Sequence, residues 1–495
     1  MKKITWKIVF ALLLALVLSG CGGKAKLESL ETEVTAETIS GLKAYKSLKE
    51  LQIVNSDCYD AIEEYISAHP QVSVRYEIAI GDVTAWNTDE ELLFETMDQN
   101  MVESFCHYSR YFKNLKSVSV DDLLGPEQIR AVRDACPAVD FSYYAKFAGE
   151  KVRSDAAVID LSGTPFSEDV LRSAETIAEL FPKASAVNLL REDGSCGWSL
   201  EELAALRDAL PENIQLKCAF TLFGQELSWD REEIIYEKAG LGNDDLDTVR
   251  MALPLLAGCK RFVLDNCGPS YEELSKLRDE FPDKGIVWRV HFYSDSLLTD
   301  ATVLWSVYIR DENCHVLDYC RDLEYIDLGH DEWLTDISFT ANMPKLKVLI
   351  VGLTAVKDIS SLANCPELEY LEIFGTEVKD LSPLASCTKL EHLNISLIPA
   401  KDISPLYGLT ELKRLWGIND YYIPYAQKEE IVQRLPDCEI VFREGDDLTA
   451  FGWRTLSDGS YAERYALLRE QIGYGNYNSP LDKLDFDKSW QRGYA

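Results

Sequence analysis

No apolar run in this chain of 495 residues is long enough to cross a bilayer as a helix, which takes about 20 residues. The longest, Ile8 to Leu18, has eleven. Histidine is scarce, with six copies in all, and none of His69, His107, His291, His315, His330 and His392 falls into H-E-x-x-H or another metal-pair spacing. G-x-S-x-G, a Walker-type Gly-Lys-Ser/Thr and C-x-x-C are missing. Gly240-Leu241-Gly242 is a lone fragment of a glycine-rich loop and reads as a plain turn. Acids are so plentiful, 83 of them, that no carboxylate pair stands out. With no catalytic constellation to name, we expect a protein that is not an enzyme, with no cofactor and no resident metal. Positive charge is also short: 50 Lys and Arg leave a net charge of −33. Such a surface repels nucleic acid and anionic lipid, and it keeps the chain soluble.

The N-terminus is where chemistry is legible. Lys2, Lys3 and Lys7 precede the eleven-residue apolar run, as in an export signal that is removed. Leu18-Ser19-Gly20-Cys21 follows at once and resembles the lipobox of bacterial lipoproteins. That resemblance implies cleavage before Cys21, a diacylglycerol (and palmitate-type acylation) on its thiol, and anchoring to the cell membrane on its extracytoplasmic side. An ordinary secretory signal or an uncleaved anchor are the alternatives. Removing 1–20 takes away three lysines and no acid, so the net charge moves from −33 to −36. Residues 21–47, starting Cys21-Gly22-Gly23, read as a lipidated cysteine and polar spacer.

Twelve cysteines remain, and an exported chain first suggests disulfides. Their positions suggest core filling instead. Cys365 and Cys387 stand 22 residues apart where neighbouring repeats carry Met343 and Leu409, and Cys136 precedes a proline where other copies carry Leu210 and Phe281. Cys259 with Cys267, or Cys314 with Cys320, remain possible pairs.

Two repeats organise the chain. The sharper one reads Leu346-Lys-Val-Leu349-Ile-Val351, Leu368-Glu-Tyr-Leu371-Glu-Ile373, Leu390-Glu-His-Leu393-Asn-Ile395 and Leu412-Lys-Arg-Leu415, with leading leucines 22 apart. Between these lines stand Lys357-Asp358-Ile359-Ser360, Lys379-Asp380-Leu381-Ser382-Pro383 and Lys401-Asp402-Ile403-Ser404-Pro405, with a looser copy at Asp336-Ile337-Ser338. The pattern resembles the internalin-type bacterial leucine-rich repeat over about four and a half units, roughly a fifth of the chain, and with the lipobox it resembles a clostridial-type leucine-rich repeat lipoprotein. Alternating apolar residues predict short inward-facing strands that stack into a parallel sheet. Ser382 and Ser404 are expected to accept from free backbone N–H groups, with Pro383 and Pro405 starting a helical turn. The ladder Asp336, Asp358, Asp380, Asp402 reads as turn bonding, because one carboxylate per repeat lacks the six to eight oxygens that calcium takes.

The longer repeat fills the N-terminal half. Glu127-Gln-Ile129-Arg-Ala-Val132-Arg133-Asp134-Ala-Cys136-Pro137 matches Glu201-Glu-Leu203-Ala-Ala-Leu206-Arg207-Asp208-Ala-Leu210-Pro211 and Glu272-Glu-Leu274-Ser-Lys-Leu277-Arg278-Asp279-Glu-Phe281-Pro282. Worn copies end at His69-Pro70 and Leu435-Pro436, and a strand-like segment follows each proline. The unit predicts strand, helix, proline stop, strand. The expected fold is thus an α/β, leucine-rich-repeat-like solenoid. A parallel sheet lines its concave face, and helices or short helical turns line its convex face.

We assign 1–20 to the signal, 21–47 to the spacer, 48–322 to the irregular repeats, 323–445 to the leucine-rich repeats and 446–495 to a C-terminal cap. The two repeat regions form either one continuous solenoid or a separate α/β domain ending near Asp300 followed by a short repeat domain. The cap carries Gly452-Trp453-Arg454 and a helical face of Tyr461, Tyr465, Leu468 and Ile472.

Residues between the inward leucines point to the concave side. They are Tyr325, Asp327, Val348, Ile350, Tyr370, Glu372, Phe374, His392, Asn394, Arg414 and Trp416. Aromatic and aliphatic side chains at such positions mark a binding stripe unless the C-terminal region or another element covers them. The expected role is a membrane-anchored module taking a protein, peptide or glycan on this stripe. A structural envelope lipoprotein without a discrete ligand and an enzyme with an unrecognised site are the alternatives.

Overall fold

A computed structural model describes residues 27–293, 295–307, 309–445 and 452–473, which fall into two compact units divided between Trp229 and Asp230. Cys21 and residues 1–20, where an export signal is expected, lie outside the described residues. Among those described, no helix is long and apolar enough to cross a membrane.

The first unit repeats one motif three times. Two strands and the leading part of a third run parallel, and the third then turns back on itself as a hairpin. Ser29–Thr32, Glu50–Ile53 and Ser73–Ile80 pair in parallel, with Val83–Trp86 antiparallel to the last. Glu91–Phe94, Ser117–Leu123 and Asp140–Phe147 repeat this, closed by Glu150–Arg153. In the third copy, Val158–Asp160, Ala186–Asn188 and Gln215–Lys217 form the parallel part, and Ala219–Leu222 with Gln225–Ser228 the hairpin. The hairpin turns need residues that accept positive φ. Ala148-Gly149 (51° and 88°) and Phe223-Gly224 (48° and 82°) supply them in two-residue loops.

The repeated helical phrase has a physical reading. Helix Leu200–Ala209 starts with a capping box, Ser199 Oγ accepting from Glu202 N–H while the Glu202 carboxylate accepts from Ser199 N–H at 2.8 Å. Leu203 and Leu206 are buried on the sheet. Arg207 folds back over the helix end to donate to Leu210 O at 2.9 Å and Pro211 O at 2.6 Å, satisfying carbonyls that the proline stop leaves open. Arg133 and Arg278 occupy the same place in their copies and instead bond Tyr143 Oη and Tyr319 O.

Strand Ser29–Thr32 lies inside the stretch expected to be spacer, and Ile39 and Leu42 beside it are buried. Ordered structure thus starts well before residue 48, because the first parallel pair needs a partner for Glu50–Ile53.

The second unit opens with a fourth copy of the motif, Glu233–Glu237, Arg261–Asp265 and Ile286–Phe292 in parallel with Asp295–Leu298 turned back. A seven-stranded parallel sheet follows: Val303–Trp305, Tyr325–Asp327, Val348–Ile350, Tyr370–Glu372, His392–Asn394, Arg414–Ile418 and Glu439–Arg443. One column of the register runs Ile326, Leu349, Leu371, Leu393, Leu415, Ile440, and the first five are fully buried. This is the leucine-rich repeat fold, and its sheet begins one strand earlier than residue 323.

Short 3₁₀ turns, Ser338–Asn342, Ser360–Asn364, Ser382–Ser386 and Ser404–Gly408, form the opposite side. Their serines do not cap them. The acceptor is the aspartate two residues earlier: Asp336, Asp358, Asp380 and Asp402 accept from Ser338, Ser360, Ser382 and Ser404 N–H at 2.7–2.9 Å. The aspartate ladder is therefore turn bonding.

All twelve described cysteines are free thiols, Cys259, Cys267, Cys314 and Cys320 included. Cys365 and Cys387 are fully buried in the column shared with Met343 and Leu409, and each thiol reaches a carbonyl of the preceding repeat, Thr340 O and Leu362 O.

Candidate functional site

The concave stripe is assembled as expected but is not open. Val348, Ile350, Tyr370, Glu372, Phe374, His392, Asn394 and Trp416 are buried, Asp327 is 9 % exposed, and Tyr325 and Arg414 are half-buried. The cover is the chain's own tail. Trp453, Ala462, Tyr465, Leu468 and Ile472 form one apolar cluster with Val303, Val348, Ile350, Tyr370, Trp416 and Ile418. The expected end cap is thus a lid on the concave face. Apolar strand positions facing water are costly, at roughly 25 cal/mol per Å², and the tail removes that exposure.

Helix Glu463–Ile472 buries Tyr465, Leu468 and Ile472, spaced as one helical face, whereas Tyr461, expected on that face, precedes the helix, bridges to Thr455 and is exposed. Gly473 ends it in the left-handed conformation. Its polar side is tied as well: Arg464 Nη2 reaches Glu369 at 3.1 Å, and Gln471 Nε2 donates to Tyr325 Oη at 3.1 Å.

The segment before the helix carries the polar centre. Glu372 has no exposed surface, and three donors meet its carboxylate. Trp453 Nε1 donates to Oε1 at 2.8 Å, Arg454 binds both oxygens, and Tyr370 Oη donates to Oε1. The bidentate guanidinium supplies both charge and geometry. Trp453 packs on Tyr370 and Trp416 with ring centroids 5.6 and 6.1 Å away. Arg414 holds the backbone of the same segment, donating to Trp453 O at 3.1 Å and to Gly452 O, while its Nε reaches Glu439 at 2.7 Å. Gly452 sits at φ +100°, and a Cβ there would come within 2.6 Å of the Trp416 ring. Only glycine lets the chain approach so closely.

Burial shifts the neighbouring groups. His392 is held down at about 4, first by burial and then by Arg464 and Arg414, so its imidazole is neutral. Asp327 is pushed up to about 7 by burial, against the bond from Gly329 N–H and the field of Arg454. Among the described residues, Trp416 Nε1 and His392 Nδ1 are buried with no hydrogen-bond partner. Among the described residues no cluster of His, Cys, Asp and Glu has metal-binding geometry.

The stripe and its cover by the C-terminal region are both readable from the sequence, but the pairing of Trp453 and Arg454 with Glu372 is not. Its nearest signal is Glu372, an acid among aromatics, together with a Trp-Arg pair in the tail.

No protein-family model matches the chain, and no curated protein does. Among solved structures it is similar to internalin C2 of Listeria monocytogenes, at 20 % identity over 26 % of this chain and 67 % of that one, TM-score 0.22. It is also similar to the internalin inlF of the same organism, at 14 % identity over 84 % and 82 %, TM-score 0.22. A leucine-rich repeat protein of Leptospira interrogans is 14 % identical over 85 % and 94 %, again with TM-score 0.22. Superposition this weak carries nothing further. The repeat fold rests on the strand ladder described above.

Two outcomes follow. Arg454→Met strands Glu372 as a buried, uncompensated charge and should lower stability by about 3–5 kcal/mol in urea unfolding; the double variant Glu372→Gln/Arg454→Met should recover more than half of that. Equal losses in both would contradict the ion pair. Asp327 has a folded pKa above its ordinary value, so the stability it permits is present below about pH 4 and lost as pH rises through about 7. Asp327→Asn should match wild type near pH 4 and be the more stable protein at pH 8. A difference that does not change with pH would contradict this.

Proposed function

We propose that this chain is a lipid-anchored, extracytoplasmic leucine-rich repeat protein that binds a protein or peptide on the concave face of its C-terminal repeats, and that residues 452–473 occupy that face as an internal ligand. The observation that carries this reading is the buried Glu372–Arg454 pair. A permanent core gains as much from apolar packing as from a desolvated ion pair. A separable contact gains specificity from the pair, because only a segment with a matching cation is accepted. The indole of Trp416 and the imidazole of His392, which have no hydrogen-bond partner among the described residues, support the same reading. Each buried orphan costs about 1–3 kcal/mol, which an incoming ligand offering an acceptor to the indole recovers.

The tail also states what chemistry the face takes: an aromatic side chain next to a guanidinium, followed by an amphipathic helix. That is peptide chemistry, and we prefer it to a glycan. The membrane tether is the lipid on Cys21. Its role is to fix one end of the chain while the repeats stay in the aqueous phase. Two or three acyl chains hold far more firmly than one.

A fluorescent peptide with the sequence of residues 452–473 tests the binding reading. It should bind the full chain carrying Trp453→Ala and Arg454→Ala with a dissociation constant of roughly 10–100 μM, and bind wild type much more weakly, since the tethered copy competes at millimolar effective concentration. Adding Glu372→Gln should abolish binding. No binding to the folded double variant would sink the proposal. For the anchor, wild type should incorporate radiolabelled palmitate and sediment with membranes, while Cys21→Ser should do neither; labelling that survives the substitution would contradict lipidation at Cys21.

A further inference from the structure

The last strand of the parallel sheet, Glu439–Arg443, pairs with Arg414–Ile418 on one side. No strand among the described residues pairs with its other side. The free side can be identified by residue. Glu439 N–H donates to Lys413 O at 2.8 Å, and Arg443 O accepts from Asn419 N–H at 3.0 Å. Glu439, Val441 and Arg443 therefore turn their backbone groups inward to the neighbouring strand, and Ile440 and Phe442 turn theirs to the open edge.

The region around this edge is not built like a protected end. Natural edge strands are blunted by proline, bulges or like charges, or are covered. Here Ile440, Val441 and Phe442 are only half-buried, and Tyr421, Tyr422, Tyr425 and Val432 beside them are 51–74 % exposed. Tyr421, Tyr425, Val432, Ile440 and Phe442 line a recess of about 770 Å³. A further repeat would cover this layer in a longer solenoid. Among the described residues of the tail, Trp453, Ala462, Tyr465, Leu468 and Ile472 pack on the concave face instead.

The strand reads Glu-Ile-Val-Phe-Arg, with opposite charges at equal distances from Val441. Glu439 is 59 % exposed and meets Arg414 through Oε2, and Arg443 is exposed with no acidic partner among the described residues. Turned end for end about Val441, the sequence is its own charge complement.

We propose that a second copy of this chain docks on this edge, the two Glu439–Arg443 strands running antiparallel about a two-fold axis through Val441. The register is fixed by the backbone: Ile440 of one copy exchanges both hydrogen bonds with Phe442 of the other. Val441 faces its own copy as a non-hydrogen-bonded pair, where Cα atoms approach to about 4.5 Å. Glu439 meets Arg443 twice on the concave side. The exposed tyrosines and Val432 of both copies then form the apolar surround, as a self-complementary two-fold contact requires.

Oxidative cross-linking of the full chain tests this. Val441→Cys should form an intermolecular disulfide at least tenfold faster than Tyr461→Cys, an exposed site on the tail, with wild type as the background for the native thiols. Adding Arg443→Glu, which sets acid against acid, should reduce the Val441→Cys cross-link at least tenfold, and Glu439→Arg/Arg443→Glu should restore it. A Val441→Cys rate no higher than that of Tyr461→Cys, or a rate indifferent to Arg443→Glu, would overturn the proposal.

Discussion

A carboxylate with no exposed surface has to be paid back locally, and Glu372 determines how the C-terminal part of this protein is arranged. It stands in the middle strand of the seven-stranded sheet, between aromatic and aliphatic neighbours, where an unpaired charge would be untenable. Arg454, Trp453 and Tyr370 satisfy it. To bring Arg454 there, Gly452 must pass against Trp416 and Arg414 must hold the two preceding carbonyls. The helix that follows is then delivered to the first strands of the sheet. Its apolar face covers Val303, Val348 and Ile350, residues that would otherwise face water.

The repeats beneath are built from weaker but redundant terms. Each layer has three-residue strands, a leucine column and an aspartate that ties the next turn. No single layer could stand alone, since each buries its apolar side only against its neighbours. This suits the sheet to presenting side chains from consecutive strands at fixed spacing. It also leaves a last strand whose outer edge is unpaired among the described residues, next to the apolar end at Ile440 and Phe442.

Periodicity made much of this legible. A 22-residue phase with fixed leucines specifies the strand register, and Met343, Cys365, Cys387 and Leu409 could be aligned as one buried column because they share its phase. The proline-ended phrase located helices such as Leu200–Ala209 and Tyr271–Glu280 for the same reason. What escaped was non-periodic. The hairpins closing the longer repeats turn on pairs such as Ala148-Gly149 and Phe223-Gly224, whose turn signal is a single glycine. Strand Ser29–Thr32 has too few apolar residues to stand out from a polar spacer. The destination of the tail was hidden because contacts between Glu372 and Arg454, 82 residues apart, leave no repeat to read. The columns that hold the stripe follow from the repeat phase, but whether water or the C-terminal region covers that side depends on those contacts.

The most direct test of the account is hydrogen exchange across the tail of the intact protein. If Glu372 pins residues 452–473 onto the sheet, the amides of helix Glu463–Ile472 should exchange at least a hundredfold more slowly than in the same peptide free in solution, and Glu372→Gln should remove most of that protection. Exchange at the free-peptide rate in the wild-type chain would contradict it.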